Sequence, residues 1–578
     1  MLTESQVVPF ELRSSFVAQL RRHWRWIALV LIGLVPRLYL LRVFDVELSN
    51  DGFDAVNTLK LLQTQGPSAI PRDLVDRFIL HPFYMVLLYG WRLLTPASVD
   101  FYLAARFLSS LLACLAILIL FEFVRRTLNE YAAWVAALLL AFSPTFLWES
   151  ASILSSTLFL ALYLGVLFAL TRSRYRLASG LAFLAALTRY EGTVLIALVF
   201  IVLLVRDARA RHLQWRDWLV LFCFALAVPL VLIGSGWLAT RNPLEFIGAQ
   251  SMAALWLRFL APGDFSKRAA FFLTQYPALF PLPVVLLGLA GAVLALWRHR
   301  SRATALLLLV AVLYLLFFEI LVFFDYTTLE VRFLMYPGLP LLIFAGMVLA
   351  DVRAFLFGAS STRAPSVTLA LAGSARVARS DLCGEAISPG ANKDSDSAGE
   401  IASGQQPALA MTDSASALPS GRWAARVWGE AGLAAVVLVL LVLSYQQGLD
   451  GIRFVYNMHA SQRQVVDEMV PLIRPNEPTN VMIYAGVSGA FDFYARQRGL
   501  DLAFSYFRYA PDDRPEQYLA ARRVQFIIYP VGNAFAKAKY PYLARFEDQT
   551  HNGITFRPVT QFTTSLDHQL YSIWAVTP

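Results

Sequence analysis

Two carboxylates lie three residues apart in residues 49–54, directly after the first long apolar run of the chain. They are Asp51 and Asp54, and a helical pattern over residues 55–65 begins immediately behind them. A carboxylate in such a place can take a proton from a hydroxyl, orient an attacking group or hold a metal ion. Asp54 also fits the ordinary role of a helix N-cap. We expect Asp51 to be the base or orienting acid, with Asp54 supporting it or joining it on a divalent metal.

Three arginines are predicted at or near the outer ends of apolar runs. A guanidinium binds phosphate through paired hydrogen bonds and stabilises negative charge that develops during a reaction. Charges at membrane depth are costly and are commonly functional, although a long side chain also extends to the interface simply to be hydrated. In declining order of expectation, the phosphate-binding candidates are Arg332, Arg241 and Arg189. For Arg189 a structural ion pair with Glu191 is the alternative.

Four further residues are candidates for contact with an acceptor or for support of the acids: Glu149, His81, Glu191 and Glu330. His81 precedes Pro82 at the start of a short apolar stretch. Because the sequence offers it no evident partner, a structural role competes with a functional one. Apart from Asp51 and Asp54, no set of residues indicates a metal site, and no cofactor is firmly predicted.

Membrane-spanning helices must position these side chains. Hydrophobic residues make up 57% of the 578 residues and charged residues 15%, against about 25% charged in soluble domains. Apolar runs of this length would be solvated by lipid, where only helices or closed barrels satisfy the backbone. Eleven spans are predicted, at residues 24–43, 103–124, 131–148, 152–170, 177–190, 192–205, 217–236, 277–297, 303–323, 333–350 and 430–446. The pair that meets near Arg189 could instead be one long bent helix.

The net charge of +9 reflects membrane topology rather than nucleic-acid binding. Its arginines are grouped in alternate short connections, such as the pair Arg125 and Arg126, which is the positive-inside pattern. The N-terminus, residues 1–23, is then cytoplasmic, and two long loops face outward at residues 44–102 (the first loop) and 237–276. Within the first loop, residues 78–94 are apolar but short, which predicts a helix lying in the membrane interface. Three cysteines suggest no disulfide framework.

Two segments depart from the membrane pattern. Residues 351–429 are rich in Ser, Ala, Gly and Pro and predict a disordered cytoplasmic insert. Residues 447–578 predict a small α/β domain on the outer side, called the C-terminal domain, with strands near 480–485, 524–529, 554–562 and 570–576. Pro558 would confine its strand to an edge. No glycine-rich phosphate loop follows the early strands, which argues against nucleotide binding.

The motifs together resemble the C-type (GT-C) glycosyltransferases, which include protein O-mannosyltransferases and lipid A aminoarabinose transferases. The matching segments are, in chain order, Asp51 after the first span, His81-Pro82-Phe83-Tyr84, Arg106 at the second span, Ser143-Pro144 with Glu149, the turn at 187–192, and residues 330–333 with Pro337 and Pro340. The resemblance covers residues 24–350, so the predicted fold is an α-helical polytopic membrane protein of GT-C type.

The resemblance implies a sugar donor carried on a polyprenyl phosphate and used at the outer face of the membrane. A bacterial plasma membrane is the expected setting, because the sequence carries no eukaryotic retention signal. The resemblance also implies an inverting transfer to a protein, lipid or polysaccharide acceptor, with Asp51 matching the first-loop acid of the family. Three departures are evident. Gly52 follows Asp51 where many relatives have a glutamate, and residues 153–157 offer serine where relatives often have an acid, a place that Glu149 could take. Leu80 stands where aminoarabinose transferases carry a metal-binding glutamate, so no zinc site is predicted.

Two other functions stay open. A secondary transporter would share the many spans and the charges at membrane depth, but transporters often contain internal repeats, and none is convincing here. A catalytically silent assembly protein with the GT-C fold is the second alternative, because a fold does not fix an activity and serines occupy the place of the family's second acid.

Overall fold

The computed structural model describes residues 10–65, 81–96, 98–240, 270, 274–298, 301–323, 331–357, 420–474, 477–483, 488–507, 510 and 514–577. Its longer helices are α1 (Phe10–Val43), α2 (Asn50–Gln65), α3 (Pro82–Leu94), α4 (Phe101–Thr127), α5 (Glu130–Ala141), α6 (Pro144–Ala151), α7 (Ser156–Thr171), α8 (Tyr175–Thr188), α9 (Thr193–Ala210), α10 (Trp215–Thr240), α11 (Leu282–Arg298), α12 (Arg302–Phe323), α13 (Met335–Phe357), α14 (Ser420–Met469), α15 (Ser488–Gln497), α16 (Pro515–Arg522) and α17 (Ala534–Lys539). The chain forms two compact units, residues 1–350 with 436–578, and residues 351–435.

The chain is an integral membrane protein, and each predicted span contains helix, although the predicted spans 131–148 and 277–297 are each divided between two helices. Within the described ranges, six helices are long and apolar enough to cross a membrane: α1, α4, α10, α12, α13 and α14. A seventh crossing results if α5 and α6, which meet at a 60° bend, form one span. Helices α7, α8 and α11 are apolar but shorter. The number of eleven spans therefore stays a prediction.

Helix α13 lies at the centre of the bundle. In the most apolar 18-residue stretch of α13, 89% of the residues are buried, against 17% in the corresponding stretch of α10. Helix α10 therefore presents most of its apolar surface to the surrounding membrane. Two glycines of α11 allow a close approach to α13: a Cβ at Gly288 would lie 2.7 Å from the Leu341 carbonyl oxygen, and one at Gly291 would collide with the Phe344 carbonyl oxygen. Small residues at such crossings are how membrane helices pack their backbones together.

The two helices that meet near Arg189 are separate rather than one bent helix. Helix α8 ends at Thr188, Arg189 is extended with φ −154° and ψ 143°, and a 3-10 turn at Tyr190–Gly192 leads into α9. Gly192 is required in this turn because a Cβ there would overlap the backbone of Ala185. The turn therefore depends on a glycine at position 192.

Helices α13 and α14 continue beyond the predicted spans. Helix α13 runs to Phe357, and α14 extends over 50 residues, from Ser420 to Met469. The predicted insert 351–429 thus begins and ends in helix, and residues 358–419 lie outside the described residues. Hydropathy marks where an apolar stretch ends, but a helix continues until a cap, glycine or proline stops it, which explains the difference.

The C-terminal domain is α/β, as predicted. Its six-stranded sheet has the order β2-β1-β3-β6-β5-β4, with β1 parallel to β2 and β3 and the other pairs antiparallel. The strands are β1 (Thr479–Ile483), β2 (Leu502–Tyr506), β3 (Phe526–Pro530), β4 (Gln549–His551), β5 (Ile554–Thr563) and β6 (Leu570–Thr577). The short strands β2 and β4 were not predicted. Pro558 lies beyond the β4 ladder, beside a register shift in β5, where a missing N–H is tolerated.

The α11–α13 crossing yields a stability prediction. Gly291→Ala should lower the free energy of unfolding by about 1–3 kcal/mol, since overpacking forces backbones apart. Gly234→Ala in α10 is the control, because no heavy atom of the described residues lies within 4 Å of the added Cβ. Thermal unfolding of both variants in detergent measures the difference, and equal midpoints for Gly291→Ala and wild type would contradict this packing.

Candidate active site

A buried glutamate anchors the connection between α1 and α2, which is the start of the first loop. The Glu47 Oε1 atom accepts a hydrogen bond from the Ile153 backbone N–H at 2.9 Å, and its Oε2 atom lies 3.8 Å from Arg106 Nε. Arg106 also donates to the carbonyl oxygens of Phe44 and Ala151, each at 2.7 Å. Buried charges need partners of this kind. The arrangement ties the first loop to the start of α4 and the end of α6.

The helix that carries Asp51 begins earlier than predicted. Helix α2 starts at Asn50, and the Gly52 N–H donates to the Ser49 side chain at 3.3 Å. Ser49 is therefore the N-cap, and Asp54 lies in the body of the helix rather than at a cap. Asp51, in the first turn, is favoured there by the positive end of the helix dipole.

Gly52 is required by the position of Glu47. A Cβ at residue 52 would lie 2.5 Å from Glu47 Oε1 and 2.9 Å from the Ile153 Cβ, both closer than real Cβ contacts. The glutamate that many relatives carry after the first acid has no room here. The departure from the family pattern thus has a steric cause, and the backbone next to Asp51 rests directly on the Glu47 carboxylate.

The structure brings together the leading candidates for acid and phosphate contact. Arg332 Nη1 donates to Asp51 Oδ2 at 3.0 Å, although 281 residues separate them. The Arg332 and Asp51 side chains are 14% and 26% exposed, so both remain accessible from one side. Arg332 belongs to the 3-10 turn Val331–Leu334 that precedes α13. A carboxylate and a guanidinium are therefore paired at the end of the central helix.

A small cavity lies beside Asp51. Its volume is about 20 Å³, which is room for about one water molecule. It is lined by Asp51, Ala55, His81, Tyr84, Met85, Ile153, Leu154 and Ser155. His81 comes just before α3, and its Nδ1 atom lies 2.8 Å from the Thr188 carbonyl oxygen. Since that carbonyl can only accept, Nδ1 carries the hydrogen.

Arg189 forms an ion pair with Glu191, the structural role predicted as the alternative to phosphate binding. Arg189 Nη2 lies 2.7 Å from Glu191 Oε1, and both side chains are buried. Arg189 also donates to Ser155 Oγ at 3.3 Å, so it reaches the cavity lining through the serine that replaces the family's acid. A phosphate on Arg189 would have to compete with Glu191.

The remaining candidates are spread differently. Glu149 is buried in α6 and is not part of the cavity lining. Arg241 and Glu330 lie outside the described residues. Within the described part of the chain, no group of three or more His, Cys, Asp and Glu side chains is arranged to hold a metal ion. A metal on Asp51 and Asp54 therefore stays a prediction.

Glu47 and its contacts were not predicted as part of the site. The sequence signal is slight: a lone acid between apolar residues, four positions before Asp51. Its importance comes from distant partners, since Ile153 is 106 residues away and His459, whose Nδ1 lies 2.9 Å from the Glu47 carbonyl oxygen, is 412 residues away. Burial raises the pKa of Glu47 to about 7, against the lowering effects of Arg106 and three backbone N–H groups.

The raised pKa of Glu47 predicts a pH-dependent stability. The folded pKa, about 7, lies above the unfolded value of 4.5, so the contribution is complete below pH 4.5 and is lost as the pH rises through 7. The loss amounts to at most about 3 kcal/mol. The melting temperature of wild type should therefore fall between pH 5 and pH 8, and Glu47→Gln should flatten that fall. The exposed Glu547→Gln is the control, and identical slopes for wild type and Glu47→Gln would contradict the assignment.

Comparison with known proteins gives the same architecture. A family profile for dolichyl-phosphate-mannose-protein mannosyltransferases matches residues 85–237. The crystal structure of ArnT from Cupriavidus metallidurans bound to undecaprenyl phosphate is similar to 96% of the chain and 98% of its own length, with 16% identity and a TM-score of 0.51. The apo structure of the same ArnT gives a TM-score of 0.50, with the same identity and coverage. No curated protein matches the chain in sequence.

A third solved structure is less similar. It is the oligosaccharyltransferase AglB from Archaeoglobus fulgidus in complex with an inhibitory peptide and a dolichol-phosphate. The similarity spans 89% of the chain and 70% of AglB, with 13% identity and a TM-score of 0.49. The family profile covers about a quarter of the chain, and the whole-chain similarity to ArnT shows a shared fold, that of the GT-C membrane glycosyltransferases.

Proposed function

We propose that this protein transfers a sugar from a polyprenyl-phosphate donor to an acceptor at the outer face of the membrane. The observation that carries the proposal is the contact between Asp51 and Arg332, which joins the candidate base to the candidate phosphate-binding cation. The ArnT relative, with the same fold, was crystallised with undecaprenyl phosphate. The donor sugar, a hexose or pentose, and the acceptor, a protein, lipid or polysaccharide, are for experiment to identify.

The reaction that fits is a single displacement with inversion. The acceptor oxygen forms a bond to the anomeric carbon, the bond from that carbon to the phosphate oxygen breaks, and polyprenyl phosphate leaves. The acceptor proton passes to the Asp51 carboxylate, which acts as general base. Negative charge grows on the leaving phosphate, and Arg332 stabilises it with charge-assisted hydrogen bonds.

The distance between the two groups sets the order of events. Carboxyl groups that flank a sugar in inverting glycosidases are about 6.5–9.5 Å apart, whereas Asp51 and Arg332 touch at 3.0 Å. A sugar cannot lie between them in this arrangement. We infer that the donor phosphate draws Arg332 away from Asp51, and that this exchange frees the carboxylate to take the proton.

The other candidates have supporting roles in the proposal. Asp54 supports Asp51 or joins it on a divalent metal, Arg241 adds a second phosphate contact, and Arg189 acts on the cavity through Ser155. Glu149, His81, Glu191 and Glu330 are candidates for acceptor contact or for support of these groups. The orientation follows the positive-inside pattern: a cytoplasmic N-terminus and a C-terminal domain outside a bacterial plasma membrane.

Removal of the proposed base is the first test. Asp51→Asn keeps the size of the side chain but cannot take a proton, so sugar transfer should fall by about 10²–10⁴-fold. Asp548→Asn, at an exposed position of the C-terminal domain, is the control and should keep the activity of wild type. Release of polyprenyl phosphate by each purified variant is the measurement, with the melting temperature as a check on folding. Wild-type transfer by folded Asp51→Asn would exclude Asp51 as the base.

Arg332 is tested separately through the lipid phosphate. Hydrogen bonds to charged groups contribute about 1.5–3 kcal/mol, so Arg332→Gln should weaken polyprenyl phosphate binding by about 10–100-fold. Arg332→Lys should fall between, since a lysine keeps the charge but not the paired geometry. Arg176→Gln, which removes an ion pair to Asp217 in another part of the bundle, is the control. Unchanged affinity in Arg332→Gln would remove Arg332 from the phosphate site.

A further inference from the structure

We propose that the C-terminal domain holds helix α2 in its working position and thereby places the Asp51 carboxylate, with His459 as the main positioning residue. The inference rests on the proposed function for the role of Asp51. Its geometric part, the support of α2 by the domain, stands independently of any activity. Three contacts carry it, and all join residues of one compact unit.

The first contact is between α14 and the first loop. His459 is buried, and its Nδ1 atom lies 2.9 Å from the Glu47 carbonyl oxygen. Because a carbonyl only accepts, the ring donates through Nδ1–H. The Glu47 carboxylate in turn lies against Gly52 and accepts from the Ile153 N–H. A displacement of α14 would therefore be passed through Glu47 to the residue next to Asp51.

The second contact is between Phe53 and the start of α15. A Cβ added at Gly489 would collide with the Phe53 side chain, so only glycine allows this approach. The fully buried Phe53 ring also lies 5.8 Å from the His459 ring and 5.6 Å from the Tyr102 ring, centroid to centroid. The residue two positions after Asp51 is thus enclosed by both the domain and the bundle.

The third contact is a hydrogen-bonded relay one helical turn further along α2. Asn57 Nδ2 donates to Asp492 Oδ2 at 3.1 Å, and Tyr102 OH donates to Asn57 Oδ1 at 3.0 Å. Asp492 is also held by Arg496 at 2.9 Å. Asn57 is buried, so loss of any partner would leave polar atoms unsatisfied.

The second and third contacts act on the side of α2 opposite the cavity. Asp51 and Ala55 line the cavity, and a spacing of four places them on one face of the helix. Phe53 and Asn57 are also four apart, and they lie two positions after Asp51 and Ala55, respectively. Two positions correspond to a rotation of about 200° around a helix of 3.6 residues per turn. Helix α2 is therefore clamped between the cavity and the C-terminal domain.

The test separates positioning from mere stability by means of two substitutions at His459. His459→Leu removes the N–H donor, whereas the amide nitrogen of His459→Asn takes the place of Nδ1 and keeps it. A misplacement of about 1 Å can lower turnover 10²-fold, so His459→Leu should lower kcat by about 10–100-fold with little change in donor KM. His459→Asn should return kcat to within about threefold of wild type.

Gly489→Ala tests the contact between the C-terminal domain and Phe53, and it should lower kcat about as much as His459→Leu does. Gly451→Ala, in α14, is its control, because no heavy atom of the described residues lies within 4 Å of the added Cβ. Both should melt within a few degrees of wild type. Equal kcat losses in His459→Leu and His459→Asn would overturn the proposal, as would unchanged kcat in His459→Leu and Gly489→Ala.

Amide hydrogen exchange over residues 50–60 decides the geometric part without any turnover. His459→Leu and Gly489→Ala should speed exchange in this segment, and His459→Asn and Gly451→Ala should not. Unchanged protection in all four variants would overturn the proposed support of α2. If the wild type transferred no sugar while exchange responded as predicted, the proposed function would fail and the support of α2 would stand.

Discussion

The hydrogen-bonded ion pair between Asp51 and Arg332 depends on the whole membrane-embedded part of the chain. Asp51 is carried by the first helix after the first span, and Arg332 by the turn that leads into the most buried span, 281 residues later. The two meet only if α2 and the turn before α13 are both held in place. The close packing of α11 on α13 and the anchoring of the first loop by Glu47 serve that requirement.

The three buried arginines of the described residues share one use: each holds a loop or a helix end. Arg106 reaches carbonyl groups of two connections as well as Glu47, and the Arg189–Glu191 pair closes the turn between α8 and α9. Arg37 donates to the carbonyl oxygens of Gly33 and Ala141. Replacing one partner leaves an uncompensated buried charge, so these pairs fix the conformation more than they add net stability. Arg332 differs, because its partner Asp51 remains partly exposed, and in the proposed reaction its ion pair is exchanged for the donor phosphate.

Much of the fold follows from local sequence, and most of the site does not. Apolar runs mark the helices, and the aromatic and β-branched residues of 570–576 mark β6, because hydropathy and strand propensity are local properties. The place of Asp51 and Arg332 was predicted from motif order, and the structure pairs them. Glu47 could not be recognised as the anchor, since its role depends on Ile153 and His459, far away in sequence. Nor could the use of Gly52 be inferred, because only the folded position of Glu47 explains why a larger residue is excluded.

Sugar transfer from a polyprenyl-phosphate donor is the central reaction, and it can be measured directly on the purified wild-type protein. The protein would be given a panel of polyprenyl-phosphate sugars with membrane extract as acceptor, and the release of free polyprenyl phosphate would be followed by mass spectrometry. We expect at least one donor to be consumed and its sugar to be recovered on an acceptor, with the configuration of the anomeric carbon inverted. A folded protein that consumes none of the donors would contradict the proposed transfer and favour a transporter or a catalytically silent protein of the same fold.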